Sequence, residues 1–203
     1  PLIALTRRED QDNPKFQGTK TNVSFDSSSN SLNLAGTGLF DAIANFDNEA
    51  SIDDTGGISP TGSYEFGGAA GSSFLDLGAV FSVDFKRHFL TEGFFPSDLF
   101  DARGLIDDIT DFDGTTALDV NAEMQISVTQ DNPGSGSPTY TAFQTFANGT
   151  YKGRGFKFKA NLISNDIGQD IKVSQLGYTA SLQRRTEQGN LTASGAGAKA
   201  ITF

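Results

Sequence analysis

The chain has 203 residues, with 23 Gly, 18 Phe, no Cys, no Trp and a formal net charge of -10 at pH 7. Disulfides and zinc thiolates are therefore excluded, and the acidic surplus argues against a general binder of nucleic acid or anionic membrane, whose phosphate contacts need clustered Lys and Arg. No run approaches the ~18 apolar residues of a membrane-spanning helix, the N-terminus carries no signal-peptide pattern, and the lack of a clear mid-chain linker favours one main domain.

Residues 1–20, PLIALTRREDQDNPKFQGTK, mix charge with Pro and Gly without a sustained period. They read as a linker or entering arm, ahead of a β-sandwich module over 21–188. Val23, Phe25, Leu32 and Leu34 flank the turn-rich Asp26–Asn30, the pattern of a hairpin with a longer loop. Between Gly36 and Gly62 apolar residues scatter among acidic ones, and a short helical turn and an ordered loop remain equally open.

Tyr64 and Phe66 form a short strand. Leu75, Leu77, Ala79, Phe81, Val83, Phe85 and Phe89 then occupy odd positions, with Asp76, Ser82, Asp84, Lys86 and His88 on even ones, the period of a strand buried on one face. Gly78 within this run predicts a bend or bulge. Val120, Ala122, Met124, Ile126 and Val128 repeat the alternation up to the loop announced by Asp131-Asn132-Pro133-Gly134.

Tyr140, Phe143 and Phe146 lead into a further strand in which Phe156, Phe158, Ala160 and Leu162 alternate with Lys157, Lys159 and Asn161. The apolar set resumes as Ile171 and Val173 and continues as Leu176, Tyr178, Ala180 and Leu182, with its parity flipped. A one-residue slip would turn every apolar side chain to water, so a β-bulge or strand break near Ser174-Gln175 is predicted. The two runs read as antiparallel strands facing one core. Roughly eight strands and no helix of clear length predict an all-β fold, an antiparallel β-sandwich of jelly-roll type. Residues 189–203 read as a linker and the start of a following module, and both ends as cut from a longer chain.

Several segments carry a resemblance: GSYEF at 62–66, FLDLGAVFSVDFKRHF at 74–89, LIDDITDFDG at 105–114, the stretch from Asp119 to Leu162, and QLGYTASLQRRTEQ at 175–188. Over about residues 30–188 they resemble the tail tip attachment or central tail fibre (host-specificity) proteins of long-tailed bacteriophages. Tyr64-Glu65-Phe66 followed by Leu75-Asp76-Leu77-Gly78 also looks like the galactose-binding-like jelly roll of carbohydrate-binding modules. The resemblance implies a virion protein of the distal tail, assembled in the bacterial cytoplasm. It implies a homotrimer that contacts other tail proteins and meets a host surface glycan or outer-membrane protein, without membrane insertion.

Three constellations bear on chemistry. Asp107, Asp111 and Asp113, with Asp101, Asp108 and Asp119 nearby, read as a solvated acidic loop; calcium, which takes convergent carboxylates near a Gly turn, is the alternative. The spacing is not that of an EF-hand, since Ala122 stands at the twelfth position. Paired carboxylates also serve glycoside hydrolysis, but neighbouring acids are expected by chance in a chain with 25 Asp and Glu. No enzyme, catalytic residue or cofactor is expected.

Lone His88, on the polar parity of its strand, reads as a surface or hydrogen-bonded histidine rather than a zinc ligand or triad member. Lys152, Arg154, Lys157 and Lys159, interleaved with Tyr151 and Phe156, superficially match a single-strand nucleic-acid platform. The sequence instead assigns Lys157 and Lys159 to a solvent face where they protect a strand edge or meet a neighbouring subunit. Tyr140 and Phe94-Phe95 are the expected aromatic platforms if a sugar binds, and Gly67–Gly71, without a Lys or helix after it, reads as a flexible turn.

Overall fold

A computed structural model describes residues 2–36, 58–94, 119–165 and 169–183. Among these the chain is all-β and antiparallel, with ten strands and no helix: β1 (Leu2–Arg8), β2 (Thr19–Thr21), β3 (Val23–Asp26), β4 (Ser31–Leu34), β5 (Thr61–Phe66), β6 (Leu75–Phe94), β7 (Val120–Thr129), β8 (Gln144–Thr145), β9 (Gly149–Ser164) and β10 (Asp170–Gln183). They share one hydrogen-bonded network in the order β2-β5-β9-β6-β10-β4-β3, with β1 along β10, β7 along β9 and β8 along β7. The sheet curls nearly into a barrel. A Cβ on Gly62 of β5 would fall 2.6 Å from Asn22 O and Val23 Cγ1 and 2.8 Å from Leu34 Cδ2, so the two ends of the strand order meet there.

The predicted bulge in β10 is present: its register on β6 shifts between Val173 and Gln175, and Ile171, Val173, Leu176, Tyr178 and Ala180 are all buried. Strand β9 holds a second phase change that the alternation hides, because glycines mark it. Gly155 and Phe156 are buried in succession, and on either side the buried positions are odd before and even after. The two runs read as antiparallel strands facing one core do both line the core, but they do not pair with each other: β6 stands between β9 and β10 and pairs antiparallel with both. A 20-residue strand can serve two neighbours in turn, β9 through residues 75–85 and β10 through residues 84–94, and the long reach of β6 decides the topology.

Gly78 sits in a bulge, at φ 81°. Asp76 pairs with Gly155 and Phe81 with Gly153, so Leu77–Val80 stand opposite Arg154 alone and loop out of the ladder. In consequence Phe81, assigned to the core by parity, is 44% exposed, and Val80 beside it 40%.

Aromatic rings fill the interior from several strands. Phe158 of β9 stacks on Tyr178 of β10 with centroids 4.1 Å apart, and it lies 5.5 Å from Phe66 of β5, 5.6 Å from Phe85 of β6 and 5.4 Å from Phe146 after β8. Offset and edge-to-face pairs of this kind add about 0.5–1.5 kcal/mol each beyond the area they bury. Tyr178 keeps its polar end satisfied by donating to Gly67 O at 3.1 Å. The 67–74 turn is thereby part of the packed body rather than a free loop, with Gly68 N–H also donating to Phe74 O at 3.0 Å.

Within residues 1–20, expected to be a linker or entering arm, Leu2–Arg8 belong to the sheet as β1 and Phe16 is buried in the core. All seven residues of β1 pair with β10, from Leu2↔Gln183 to Arg8↔Gly177. Charge is what disguised this segment. Arg7 is 8% exposed and Glu9 fully buried; the Arg7 guanidinium lies 2.5 Å from Glu9 Oε1 and also pairs with Asp12. Tyr64 Oη donates to Glu9, and Gly18 N–H donates to Tyr64 Oη at 2.6 Å. Arg8 grips Asp10 through Nε (3.0 Å) and Nη2 (2.7 Å), while Asp10 Oδ1 accepts Leu176 N–H at 3.0 Å. Burial raises the Glu9 carboxyl above its ordinary range against the opposing pull of Tyr64 and Arg7, the balance expected when desolvation outweighs pairing. Buried ion pairs hide in a sequence because each member taken alone reads as a surface residue.

A second buried acid links β4 to β10. Asp170 Oδ1 accepts Leu34 N–H at 2.9 Å and Ile171 N–H at 2.6 Å, and burial pushes its carboxyl up to about 6 despite those two amides and Lys172. Since the folded value lies above the unfolded one, the contribution of Asp170 to stability is full below about pH 4 and is lost as the pH rises through about 6. Glu9, raised as well, works in the same direction. Asp170→Asn keeps an acceptor oxygen and removes the ionisation. Urea unfolding should show a loss of stability between about pH 4 and 7 that is smaller by roughly 1–2 kcal/mol than in the parent, and an unchanged loss would mean that Asp170 does not carry it.

Candidate functional site: a polar groove between the ends of β7 and β9

Strands β7 and β9 run laddered from Val120↔Ser164 to Thr129↔Gly155 and then part. Beyond that rung β9 pairs with β6, from Gly153 to Gly149, while β7 continues into Gln130 and Asp131. Glycine permits the divergence. A Cβ at Gly153 would fall 2.4 Å from Val128 Cγ1 and 3.0 Å from Thr129 O, and one at Gly155 would fall 2.5 Å from Pro133 Cγ. Between the separated strands opens a groove of about 770 Å³, within the ~300–1,000 Å³ of small-molecule sites.

Its third wall is the segment from Thr139 to Gln144, docked along β7 by threonines at alternate positions. Thr141 N–H donates to Val128 O at 2.9 Å, and Thr141 Oγ1 accepts Val128 N–H at 3.0 Å. Ser127 Oγ donates to Thr141 O at 2.7 Å and Thr129 Oγ1 to Thr139 O at 2.6 Å. Asp131 Oδ2 accepts Thr139 N–H at 2.8 Å, which closes the loop between them. The wall is preorganised by these bonds, so a ligand need not order it.

On the β9 side, Tyr151 Oη donates to Ala147 O at 2.9 Å and accepts Ala147 N–H at 3.2 Å. Its ring lies 5.9 Å from both Phe85 and Phe146, so it is held from behind by the core. Thr150 Oγ1 donates to Asp84. Gln130, Gln144 and Lys152 also line the groove, and among the described residues their side chains make no hydrogen bond or ion pair. Tyr140 Oη is shielded from solvent without a hydrogen-bond partner. Burial, and then the charge of Asp76, raise the Tyr140 phenol.

The basic patch has a different role from the one expected. β9 is laddered on both sides and has no edge for its lysines to protect there. Lys157 Nζ lies over the Tyr140 ring, 4.3 Å from its centroid. Lys159 faces Glu65 across the β5–β9 ladder at 3.3 Å, with the Phe143 ring 5.4 Å away. Arg154 meets Asp76 through two bonds of 3.0 and 3.2 Å. Three of the four cations are thus occupied within the chain, and a nucleic-acid platform would need them free.

His88 Nε2 lies 2.9 Å from Thr179 Oγ1, which lies 3.0 Å from Thr6 Oγ1, a polar ladder across β6, β10 and β1 on the outer face. Its pKa is lowered by burial and then by Arg8 and Lys86. Asp107, Asp111 and Asp113 lie outside the described residues, as does Phe95. Phe94 is half-buried under Lys172, 4.1 Å from the ring centroid, so its face is already covered. Tyr140, the other expected platform, does line the groove. Gln130, Gln144 and Lys152 were not singled out from the sequence for the groove; the one local cue is the alternation Thr139, Thr141, Phe143, Thr145, a strand-like signature in what reads as a loop.

No known protein family matches the chain, and no curated protein or solved structure matches it.

Proposed function

We propose that the chain is a non-enzymatic recognition module of a bacteriophage tail tip or central tail fibre, contributing to host attachment by holding a surface saccharide in the groove between β7 and β9. The tail assignment rests on the resemblance carried by residues 30–188. The recognition assignment rests on one observation: among the described residues, Gln130, Gln144 and Lys152 have no side-chain partner on the walls of an otherwise internally bonded groove. Polyhydroxylated ligands are held by such amides, ammonium groups and threonine hydroxyls, with aromatic residues beside them. Among the described residues Asp131 is the one carboxylate that lines the groove, and it already accepts Thr139 N–H, whereas glycoside hydrolysis uses two. In a homotrimer three such grooves would raise weak single-site binding through effective concentration. An outer-membrane protein is the other class of host partner.

A glycan array of bacterial surface polysaccharides tests this reading. The parent chain should bind a subset, and the triple variant Gln130→Ala, Gln144→Ala, Lys152→Ala should lose at least about tenfold in affinity, since each lost hydrogen bond contributes roughly 0.5–1.5 kcal/mol. Its melting temperature should stay within about 2 °C of the parent, because these side chains hold nothing in the fold. Equal binding by both proteins would remove the groove from the proposal.

A further inference from the structure

The four cations between Lys152 and Lys159 divide sharply. Arg154 is neutralised by Asp76, Lys159 by Glu65, and Lys157 lies on the Tyr140 ring. Lys152 is exposed, has no ion-pair or hydrogen-bond partner among the described residues, and lines the groove. Among the described residues no carboxylate forms an ion pair with it: Asp84, two rungs along the β6–β9 ladder, accepts the Thr150 hydroxyl, and Asp131 on the β7 side accepts Thr139 N–H through one oxygen. What sets Lys152 apart among the described cations without a carboxylate partner is its place at the mouth of the polar groove. An anion brought by a ligand would complete it.

Resting on the glycan reading above, we infer that the groove takes an acidic saccharide, with Lys152 contacting its carboxylate or phosphate while Gln130, Gln144 and the free oxygen of Asp131 hold neighbouring hydroxyls. The opposite placement of Lys152 on β9 and Asp131 beyond β7 orients the sugar, since its anionic substituent is attracted to one wall and repelled by the other. A volume of about 770 Å³ suits an oligosaccharide better than a single sugar ring. The attraction is solvent-exposed, so it governs selection between acidic and neutral sugars more than total affinity, and it weakens with salt.

Isothermal titration with a short oligogalacturonide and with the same oligosaccharide after reduction of its carboxyls compares ligands that differ at C6 alone, a carboxylate against a neutral hydroxymethyl. A phosphorylated oligomannose and its dephosphorylated form provide the second arm and separate carboxylate from phosphate as the anion. The parent should prefer the acidic member of at least one pair by roughly fivefold at low salt. Lys152→Gln should bind both members equally, and Lys152→Arg should keep the preference. If the neutral forms bind the parent as tightly as the acidic ones while Gln130→Ala abolishes binding, the groove is a glycan site and this inference is overturned. If the preference survives in Lys152→Gln, another group reads the anion and the inference is again overturned. If no saccharide of either kind binds, the inference falls together with the glycan reading.

Discussion

Gly177→Ala is expected to pull strand β1 away from the sheet. A methyl group at Gly177 falls 2.0 Å from the Arg7 carbonyl oxygen and 3.0 Å from the Arg8 Cα. Both are backbone, so no side-chain rotamer relieves the clash and β1 itself must move. The movement breaks the rung Arg8↔Gly177 and disturbs the Arg7–Glu9–Asp12 cluster next to it, where separating one buried charge from its partners is costly. A loss of roughly 2–4 kcal/mol follows, which for a chain of this size lowers the melting temperature by about 5–15 °C. Hydrogen exchange locates the effect: amides of Leu2–Arg8 should lose protection first, ahead of those in β9. Gly149→Ala is the control, since nothing lies within 4 Å of a Cβ there; it should leave stability unchanged or slightly raised. Equal melting of the two variants would show that β1 tolerates displacement and does not brace the sheet.

Phe158→Ala is expected to have the larger effect on the body of the fold. Its ring is fully buried and touches Phe66, Phe85, Phe146 and Tyr178, which come from four other parts of the chain. Removing it opens a cavity where four segments converge and forfeits the stack on Tyr178. The cost expected for Phe to Ala at such a site is about 3–5 kcal/mol, or a melting temperature lower by about 6–20 °C. Phe158→Leu, which refills most of the space, should recover more than half of the loss. A loss below about 1 kcal/mol for the alanine variant would show that the aromatic cluster is not the centre of the core.

These two positions differ in how legible they are. Phe158 sits in an unbroken alternation with Phe156, Ala160 and Leu162, and a period of two is enough to identify it as core. Gly177 offers no such cue. Its constraint comes from the β1 backbone, and β1 itself is hidden because Arg7, Arg8, Glu9 and Asp10 read as surface. The bulges divide in the same way. The one near Ser174-Gln175 follows from a parity flip between large apolar residues on both sides. The phase change of β9 at Gly155-Phe156 is silent, because glycine has no side chain whose parity can be read.

The groove shows the same limit. Its residues are polar and belong to three separate segments, so nothing in the sequence draws Gln130, Gln144 and Lys152 together. Lys152 reads as part of a basic patch until pairing removes Arg154, Lys157 and Lys159 from it. Whether a cation is free depends on what lies across the ladder, and the partners that decide it, Asp76 and Glu65, are far away in the chain.

What the sequence alone determined is the class of fold and most of its buried face: alternation at a period of two can be satisfied only by strands, and a misplaced phase would expose the whole apolar set. The tertiary structure decided which strands are neighbours, that the charged N-terminal segment is built into the sheet, and where β7 and β9 part to leave a groove. Those outcomes depend on contacts between residues far apart in the chain, on backbone spacing at glycines and on the pairing of charges. No local pattern encodes any of the three.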